Sequence, residues 1–169
     1  MAREYEPTDS DDLWTLKREF ERGLGAGTGD EEKEATYEAT LDAEYREEYL
    51  EWVGRCLTED RRSLQVVEDE DGEVVGYVFV LPESLAYIWD AAVLNEVYLH
   101  PDSRGSGLAD DLMMAALEYA SDMDLPLDRR VLDVDRNNDR ARSFYDRWGF
   151  EHWGEMVARP LADEVVRNH

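Results

Sequence analysis

Hydrophobic residues recur every three or four positions in two segments of the first third of the chain, which predicts two amphipathic helices. Asp9 or Ser10 is suited to cap the first helix, and a glycine-rich stretch from Gly23 to Gly29 is predicted to follow it as a flexible loop. The apolar face of this helix consists of Leu13, Trp14, Leu16, Phe20 and Leu24. The second helix is predicted from Glu31 to Leu57. Its apolar face is rich in aromatic residues and consists of Tyr37, Leu41, Tyr45, Tyr49, Trp52, Val53 and Cys56.

The pattern then changes to that of β-strands. Leu64 to Val67 and Val74 to Val80 are predicted to form an antiparallel hairpin, because Asp71-Gly72 between them favours a tight turn. The next strand, Ala91 to Leu99, is nearly continuous in apolar residues, as expected for a strand covered on both faces. Two polar residues, Asn95 and Glu96, interrupt its middle. This interruption needs a functional or structural reason.

The last third of the chain predicts a helix, a strand, a second helix and a second strand. The first helix presents Leu108, Leu112, Ala115, Ala116 and Tyr119 on one face. The strand Val131 to Val134, the helix Asn138 to Trp148 closed by Gly149, and the strand Glu151 to Val157 follow. This order predicts an α/β fold with a mixed sheet and helices on both faces. A length of 169 residues suits a single domain spanning 1–169.

The net charge of −24 arises from 42 acidic and 18 basic residues, and only Lys17 and Lys33 of the latter are lysines. Such a charge repels phosphate backbones and anionic lipids, so nucleic acids and membranes are not expected partners. A cationic molecule would be attracted. The acidic residues are spread along the chain, which favours a general solvation adaptation over a specific steering role. An acidic, lysine-poor composition resembles that of proteins from salt-loving microbes.

The cysteine and histidine content argues against disulfide and metal chemistry. Cys56 is the single cysteine, which excludes an internal disulfide and a cysteine-based zinc site. The three histidines have no ligand-like spacing, so no metal is expected. The first seven residues form neither a basic nor an apolar segment, and no later apolar run approaches bilayer length. We therefore expect a cytoplasmic location.

The strongest chemical signal is Arg104-Gly105-Ser106-Gly107-Leu108-Ala109, placed between a buried strand and an amphipathic helix. A helix start leaves amide N–H groups unpaired and carries partial positive charge, so it can hold a phosphate or pyrophosphate. Glycines allow the backbone to approach the oxygen atoms closely. The same residues also suit a plain tight turn. Gly23 to Gly29 is not such a site, because a helix precedes it and the glycine spacing differs from a dinucleotide fingerprint.

Two segments together resemble the GNAT superfamily of N-acetyltransferases. Val93 to Ala109 is similar to its coenzyme A motif, an Arg/Gln-x-x-Gly-x-Gly/Ala loop after a strand, with Arg104, Gly107 and Ala109 at the diagnostic places. Asn138 to Phe150 is similar to a second signature, Asn-x-x-Ala with a later Tyr and Gly-Phe. The resemblance spans Leu64 to Met156. It implies a mostly antiparallel sheet, with an additional short N-terminal strand.

The resemblance also implies how acetyl-CoA, as co-substrate, would be bound. The residues Arg104, Gly105, Ser106, Gly107, Leu108 and Ala109 would hold the pyrophosphate. The backbone of Val97, Tyr98 and Leu99 would pair with the pantetheine arm as if that arm were another strand. Asn138 would contact the same arm. Tyr145 would stand near the thioester sulfur and protonate the departing thiolate, although a tyrosine here also suits a packed core.

In this family a neutral amine attacks the thioester carbonyl directly, and a backbone N–H near Val97 would stabilise the oxyanion. Glu96 is the candidate base, directly or through water, and also a candidate anchor for an ammonium group. Some relatives carry a second acidic residue where this chain has Asn95. Alternation sends Asn95 and Glu96 to opposite faces, which leaves open which of them faces the acceptor. A structural ion pair between Glu96 and an arginine is the remaining alternative.

Two functions are consistent with this pattern. The first is an N-acetyltransferase that transfers acetyl from acetyl-CoA to a primary amine, either a small molecule or a protein amino group. The second is a catalytically inactive acyl-CoA-binding sensor module of the same fold. The polar residues Asn95, Glu96 and Tyr145 favour the enzyme, because a binding module does not need polar groups beside the thioester. The acceptor, the acyl-chain preference and the choice between monomer and homodimer stay open.

Overall fold

The computed structural model describes residues 1–27, 42–125, 129–132, 138–154, 157 and 159. These residues belong to two compact units, one from Met1 to Asn138 and one that begins at Asp139. The first unit holds the sheet and its covering helices, and the second holds a short helix. The expectation of one domain over 1–169 stays a prediction.

In the described part of the chain the sheet has five strands, which lie side by side in sequence order. They are β1 (Arg3–Glu4), β2 (Leu64–Glu68), β3 (Val74–Val80), β4 (Ala92–Leu99) and β5 (Arg130–Val131). The first three pairings are antiparallel, and β4 pairs with β5 in parallel. The predicted mixed, mostly antiparallel sheet and its short N-terminal strand are therefore confirmed.

The β2–β3 hairpin forms where the Asp-Gly turn predicts it. Gly72 has a φ of +81°, in the left-handed region that glycine adopts without strain. The Asp69 carboxylate accepts hydrogen bonds from the N–H groups of Asp71 (2.9 Å) and Glu73 (3.0 Å). This side chain therefore fixes the turn from inside, as aspartate does in Asx turns.

Helices cover both faces of the sheet. The helices of the first unit are α1 (Ser10–Gly27), α2 (Ala43–Glu59) and α3 (Leu108–Ser121). Tyr77 and Phe79 of β3 belong to the same core as the apolar faces of α1 and α2, and Trp52 of α2 stacks on Phe79 with ring centroids 5.1 Å apart. α3 packs against β2, β3 and β4. Because side chains alternate along a strand, Val78 and Val80 face α3.

Two helix boundaries differ from the sequence prediction. α1 continues to Gly27, so residues 23–27 are helical and not a loop. Each glycine costs a helix only about 1 kcal/mol, and Leu24 and Ala26 are good helix formers. The predicted continuous helix from Glu31 is interrupted at Asp42, which is extended and accepts a hydrogen bond from the Tyr45 N–H as N-cap of α2. Residues 28–41, with Tyr37 and Leu41, lie outside the described residues.

Of the last two predicted strands, the first is confirmed in part and the second is wrong over the described residues. The strand predicted at Val131 to Val134 is present at Val131 and begins one residue earlier, at Arg130, whereas Leu132 is irregular and residues 133–134 lie outside the described residues. Residues 151–154 form no strand and their side chains are exposed. Alternating polarity predicts a strand only where a neighbouring strand supplies backbone partners. Residues 155 and 156 lie outside the described residues.

The second unit contains the predicted C-terminal helix, α4 (Asp139–Arg147). Gly149 ends it with a φ of +85°. The Tyr145 carbonyl accepts hydrogen bonds from the N–H groups of Trp148 and Phe150, both 3.0 Å long. This is a helix C-terminus closed by a left-handed glycine, as the sequence predicts.

Gly76 of β3 lies closely packed between β2 and β4, and we predict that Gly76→Ala destabilises the protein. An added Cβ would lie 2.8 Å from Leu99 Cδ1 and 2.9 Å from the Tyr98 carbonyl oxygen. Overpacking of this kind costs about 1–3 kcal/mol of unfolding free energy, measurable by urea denaturation. Gly54→Ala is the control, because nothing lies within 4 Å of a Cβ there. That variant should gain about 0.5–1 kcal/mol as a helical substitution, and equal stabilities would contradict the prediction.

Candidate active site

A β-bulge explains the polar interruption of β4. Phe79 pairs with Glu96 while the next residue, Val80, pairs with Leu94, so Asn95 is the extra residue. A bulge of one residue reverses the alternation of side chains beyond it. Glu96 therefore points to the α1/α2 face and is 3% exposed, whereas the Asn95 side chain is exposed. The two side chains thus differ in burial, although the Asn95 amide still reaches the Glu96 carboxylate, and which of them faces the acceptor stays a prediction.

Glu96 is surrounded by hydrogen-bond donors from four elements. Lys17 Nζ of α1 lies 2.8 Å from Glu96 Oε1, and the Tyr77 hydroxyl of β3 donates to the same oxygen at 3.0 Å. The Tyr49 hydroxyl of α2 lies 3.2 Å and 3.3 Å from the two carboxylate oxygens. Asn95 Nδ2 donates to Oε2 at 3.2 Å. The ion-pair partner is thus a lysine, and not an arginine as the structural alternative assumed.

Lys17 is itself held by two carboxylates and by aromatic rings. Its ammonium group also pairs with Glu21, one helical turn along α1. It lies 4.8 Å from the Tyr49 ring centroid and 5.3 Å from that of Phe20, within cation–π range. Burial opposes the charged form of Lys17, but the charges of Glu96 and Glu21 outweigh burial and raise its pKa above the ordinary value. Lys17 is therefore a buried cation.

The two tyrosines that donate to Glu96 are held in their neutral form. Burial raises the pKa of both Tyr49 and Tyr77 well above the ordinary value, and the charge of Glu96 adds to the effect. A neutral phenol keeps its proton and can donate a hydrogen bond to the carboxylate. The environment of Glu96 therefore stabilises an anion with two O–H donors and one ammonium group.

Among the described residues, the outer edge of β4 has a paired strand at its start alone. β5, described at Arg130–Val131, pairs with β4 at Ala92 and Val93. From Leu94 to Leu99, the described residues place no strand on that side, while β3 pairs with the other side. Open backbone N–H and C=O groups accept an extended ligand as an added strand. Val97, Tyr98 and Leu99 all lie on this edge.

The loop after β4 leads to an uncapped helix start. Gly105 and Gly107 have φ values of +80° and +88°, and Gly107 is the N-cap of α3 without a side-chain capping bond. A Cβ on either glycine would meet no atom within 4 Å, so the space in front of the loop is free. Arg104 and Ser106 are exposed, and Leu108 and Ala109 are half-buried as α3 begins. The six residues thus present the amide groups and the free volume that a pyrophosphate needs.

The remaining predicted residues are Asn138, the last residue of the first unit, and Tyr145, in the helix of the second unit. Asn138 is half-buried and directly precedes α4. Tyr145 of α4 contacts Phe144 and Phe150 edge-on, with ring centroids 5.5 Å and 5.9 Å away. Burial raises the pKa of Tyr145 to about 12, so its hydroxyl carries a proton at neutral pH. The predicted contacts of both residues with a cofactor stay predictions.

Sequence reasoning missed Lys17 and Glu21. Both residues belong to the amphipathic helix α1. Because they are charged, the hydrophobic periodicity does not include them in the core. One signal was available, because Lys17 is one of only two lysines in an arginine-rich chain. Its spacing of four residues from Glu21 also predicts an ion pair on one helix face.

Searches for metal clusters and membrane spans covered the described residues. Within these ranges, no three His, Cys, Asp or Glu residues are grouped so that they could hold a metal ion. No helix in the same part of the chain is long and apolar enough to cross a bilayer.

Comparison with known proteins gives concordant matches. The model of the acetyltransferase (GNAT) family matches residues 18–150. An uncharacterised N-acetyltransferase of Archaeoglobus fulgidus is 36% identical over 101 residues, which cover 57% of this chain and 63% of that protein. An uncharacterised N-acetyltransferase of Mycobacterium bovis is 30% identical over 154 residues, covering 90% of this chain and 89% of that protein. The chain spans less than two thirds of some curated relatives that it matches.

A solved structure shares the fold. The PaiA N-acetyltransferase of Thermoplasma acidophilum, crystallised in complex with coenzyme A, superposes with a TM-score of 0.67 at 21% identity. The alignment covers 89% of both chains. This likeness confirms the predicted α/β architecture with helices packed on a mixed sheet.

Proposed function

The chain belongs to the acetyltransferase (GNAT) family, and on that premise we propose that it transfers the acetyl group of acetyl-CoA to a primary amine by direct attack on the thioester. The observation that carries the proposal is the arrangement along β4. The open edge at Val97 to Leu99 is followed, after a short 3-10 turn at Pro101–Ser103, by the uncapped glycine loop of α3, and a buried carboxylate, Glu96, lies on the same strand. Binding groups and a candidate base are thus contiguous.

The residues along this path fit the chemical groups of acetyl-CoA. The amide groups from Gly105 to Ala109 would hold the pyrophosphate, and Arg104 would add a positive charge beside it. The backbone of Val97 to Leu99 would pair with the amides of the pantetheine arm. The Thermoplasma structure was determined with coenzyme A, and the common fold supports the same ligand here. Bound in this way, acetyl-CoA supplies an activated acyl carbon next to β4.

The proposed chemistry requires three functions of the chain. A backbone N–H near Val97 stabilises the oxyanion formed when the amine nitrogen bonds to the carbonyl carbon. Tyr145 gives its proton to the thiolate as the carbon–sulfur bond breaks. Glu96 removes a proton from the amine, through water because its carboxylate is 3% exposed. The products are an N-acetylated amine and free coenzyme A.

The acceptor is proposed to be a cationic amine, because the chain has a net charge of −24. Such a field raises the local concentration of cations and repels anions.

A second candidate is an acyl-CoA-binding module without catalytic activity. The ion pair between Glu96 and Lys17 favours it, since a carboxylate that serves only to neutralise a buried lysine need not act as a base. Both candidates bind acetyl-CoA. Measured thiol release with a panel of amines separates them, because only the enzyme produces free coenzyme A in an amine-dependent way.

Acetyl-CoA is expected to raise the melting temperature by about 5–10 °C at 100-fold excess over its Kd, since it binds only the folded state. Gly107→Glu should abolish this shift by placing bulk and negative charge against the pyrophosphate. Gly72→Glu is the matched control, because Gly72 has a similar φ of +81° and similarly free space, but lies in the β2–β3 turn. An undiminished shift in Gly107→Glu would remove the assignment of the phosphate site.

Tyr145→Phe should lower kcat by about 10²–10⁴-fold while the Kd of acetyl-CoA stays nearly constant. The substitution retains the ring that packs against Phe144 and Phe150, and removes only the proton donor. Single-turnover acetyl transfer under conditions where chemistry is rate-limiting is the appropriate measurement. Wild-type rates in this assay would identify Tyr145 as a packing residue.

Glu96→Gln should lower acetyl transfer most at low pH, where the acceptor amine is largely protonated, and recover part of the rate near the amine's own pKa. If Glu96 instead anchors an ammonium group, KM for the acceptor rises while kcat changes little. The variant should also unfold more easily, since it removes the partner of buried Lys17. Lower stability with unchanged kcat and KM at every pH would contradict both roles of Glu96.

A further inference from the structure

Three charged groups lie together in the core between α1 and β4. Lys17, Glu21 and Glu96 are 5%, 9% and 3% exposed, and the Lys17 ammonium group contacts both carboxylates. Buried charges are stable only when they are paired and hydrogen-bonded. The cluster has one cation for two anions, so Lys17 is the shared counter-charge of both carboxylates and one negative charge is left uncompensated.

The choice of lysine at this position is informative. The chain uses arginine for nearly all of its basic residues, and Lys17 is one of two exceptions. An ammonium group is a compact charge that fits between two carboxylates and over an aromatic ring, whereas a guanidinium group is planar and larger. The Tyr49 ring lies 4.8 Å from Nζ on the side of α2.

We propose that Lys17 is a positioning residue of the acetyl-transfer reaction, which supplies the counter-charge to Glu96 and fixes its carboxylate beside the bulge of β4. This inference rests on the proposed function, in which Glu96 accepts a proton from the amine. Glu21 has a supporting role, because its contact with Nζ holds the lysine side chain toward β4.

Among the described residues that contact Glu96, Lys17 alone carries a positive charge. From β3 and α2 it receives the neutral hydroxyls of Tyr77 and Tyr49, and from β4 the amide of Asn95. Tyr45 of α2 stacks on Tyr49 and is also neutral, because burial raises its pKa. Without Lys17, two buried carboxylates would remain next to each other. Two neighbouring carboxylates without a counter-charge resist joint ionisation, so one of the two carboxyl groups in the variant would take up a proton.

The test is the pH profile of kcat/KM for acetyl transfer. In Lys17→Met, the acid limb of the profile should move to higher pH by about one unit or more, because the carboxyl pair retains a proton. Lys17→Arg restores the charge, so its acid limb should return toward the wild-type position even if kcat is lower. A limb that stays at the wild-type pH in Lys17→Met, or that moves equally in Lys17→Arg, overturns the proposal.

A control separates this effect from loss of stability. Arg3 forms another ion cluster, with Asp9 at 2.9 Å and Glu68 at 2.7 Å. Arg3→Met should therefore destabilise the protein and leave the acid limb unchanged. If Arg3→Met moves the limb as far as Lys17→Met does, the shift reflects general destabilisation and the proposal fails.

A second measurement does not depend on activity. Lys17→Met leaves a buried charge without its partner, whereas the double variant with Glu96→Gln removes both members of the pair. The double variant should therefore melt at a higher temperature than Lys17→Met alone. If it melts no higher, Lys17 does not act through Glu96. Absence of acetyl transfer by the wild type with any amine would refute the proposed function, while this comparison would still decide the Lys17–Glu96 coupling.

Discussion

The buried contact between Lys17 and Glu96 is the constraint on which the arrangement of the first unit depends. A carboxylate in the middle of a central strand is stable only if an opposite charge reaches it, and that charge comes from α1. The position of α1 on the sheet is thereby tied to one residue of β4. α2 is tied to the same point, because Tyr49 donates to both oxygens of Glu96. Two helices and two strands thus converge on one side chain.

β4 has different partners on its two sides, and this asymmetry gives the site its shape. β3 pairs with β4 along most of its length, while the described residues of β5 pair with Ala92 and Val93. The bulge at Asn95 follows these two residues along β4. A bulge increases local twist and reverses which side chains face α1 and α2. The bulge therefore directs the Glu96 side chain into the core. It also lies just before Val97 to Leu99, the proposed binding edge of β4.

Local signals predicted much of this structure from the sequence. The β2–β3 hairpin, the loop before α3 and the glycine end of α4 follow from dipeptides and periodicity within a few residues. The partner of Glu96 could not be predicted in this way, because Lys17 is 79 positions away and no local sequence pattern pairs the two residues. The extra residue in β4 was equally hidden, since a bulge is defined by the neighbouring strand. The interruption of the predicted long helix at Asp42 shows that periodicity can continue across a capping residue.

The acidity of the chain and the proposed anion site at α3 are compatible because the two effects act over different distances. Repulsion by dispersed carboxylates is a long-range effect, screened beyond about 10 Å at 0.1 M salt and beyond about 3 Å at 1 M. Hydrogen bonds from the amides of α3 act only at contact, where salt has little influence. In the first turn, the Asp111 carboxylate is paired with the N-terminal ammonium group of Met1 at 3.0 Å, which offsets its charge. High salt would therefore remove most of the opposing field and leave the short-range attraction, so the conflict between an acidic surface and the proposed pyrophosphate site decreases as the salt concentration rises.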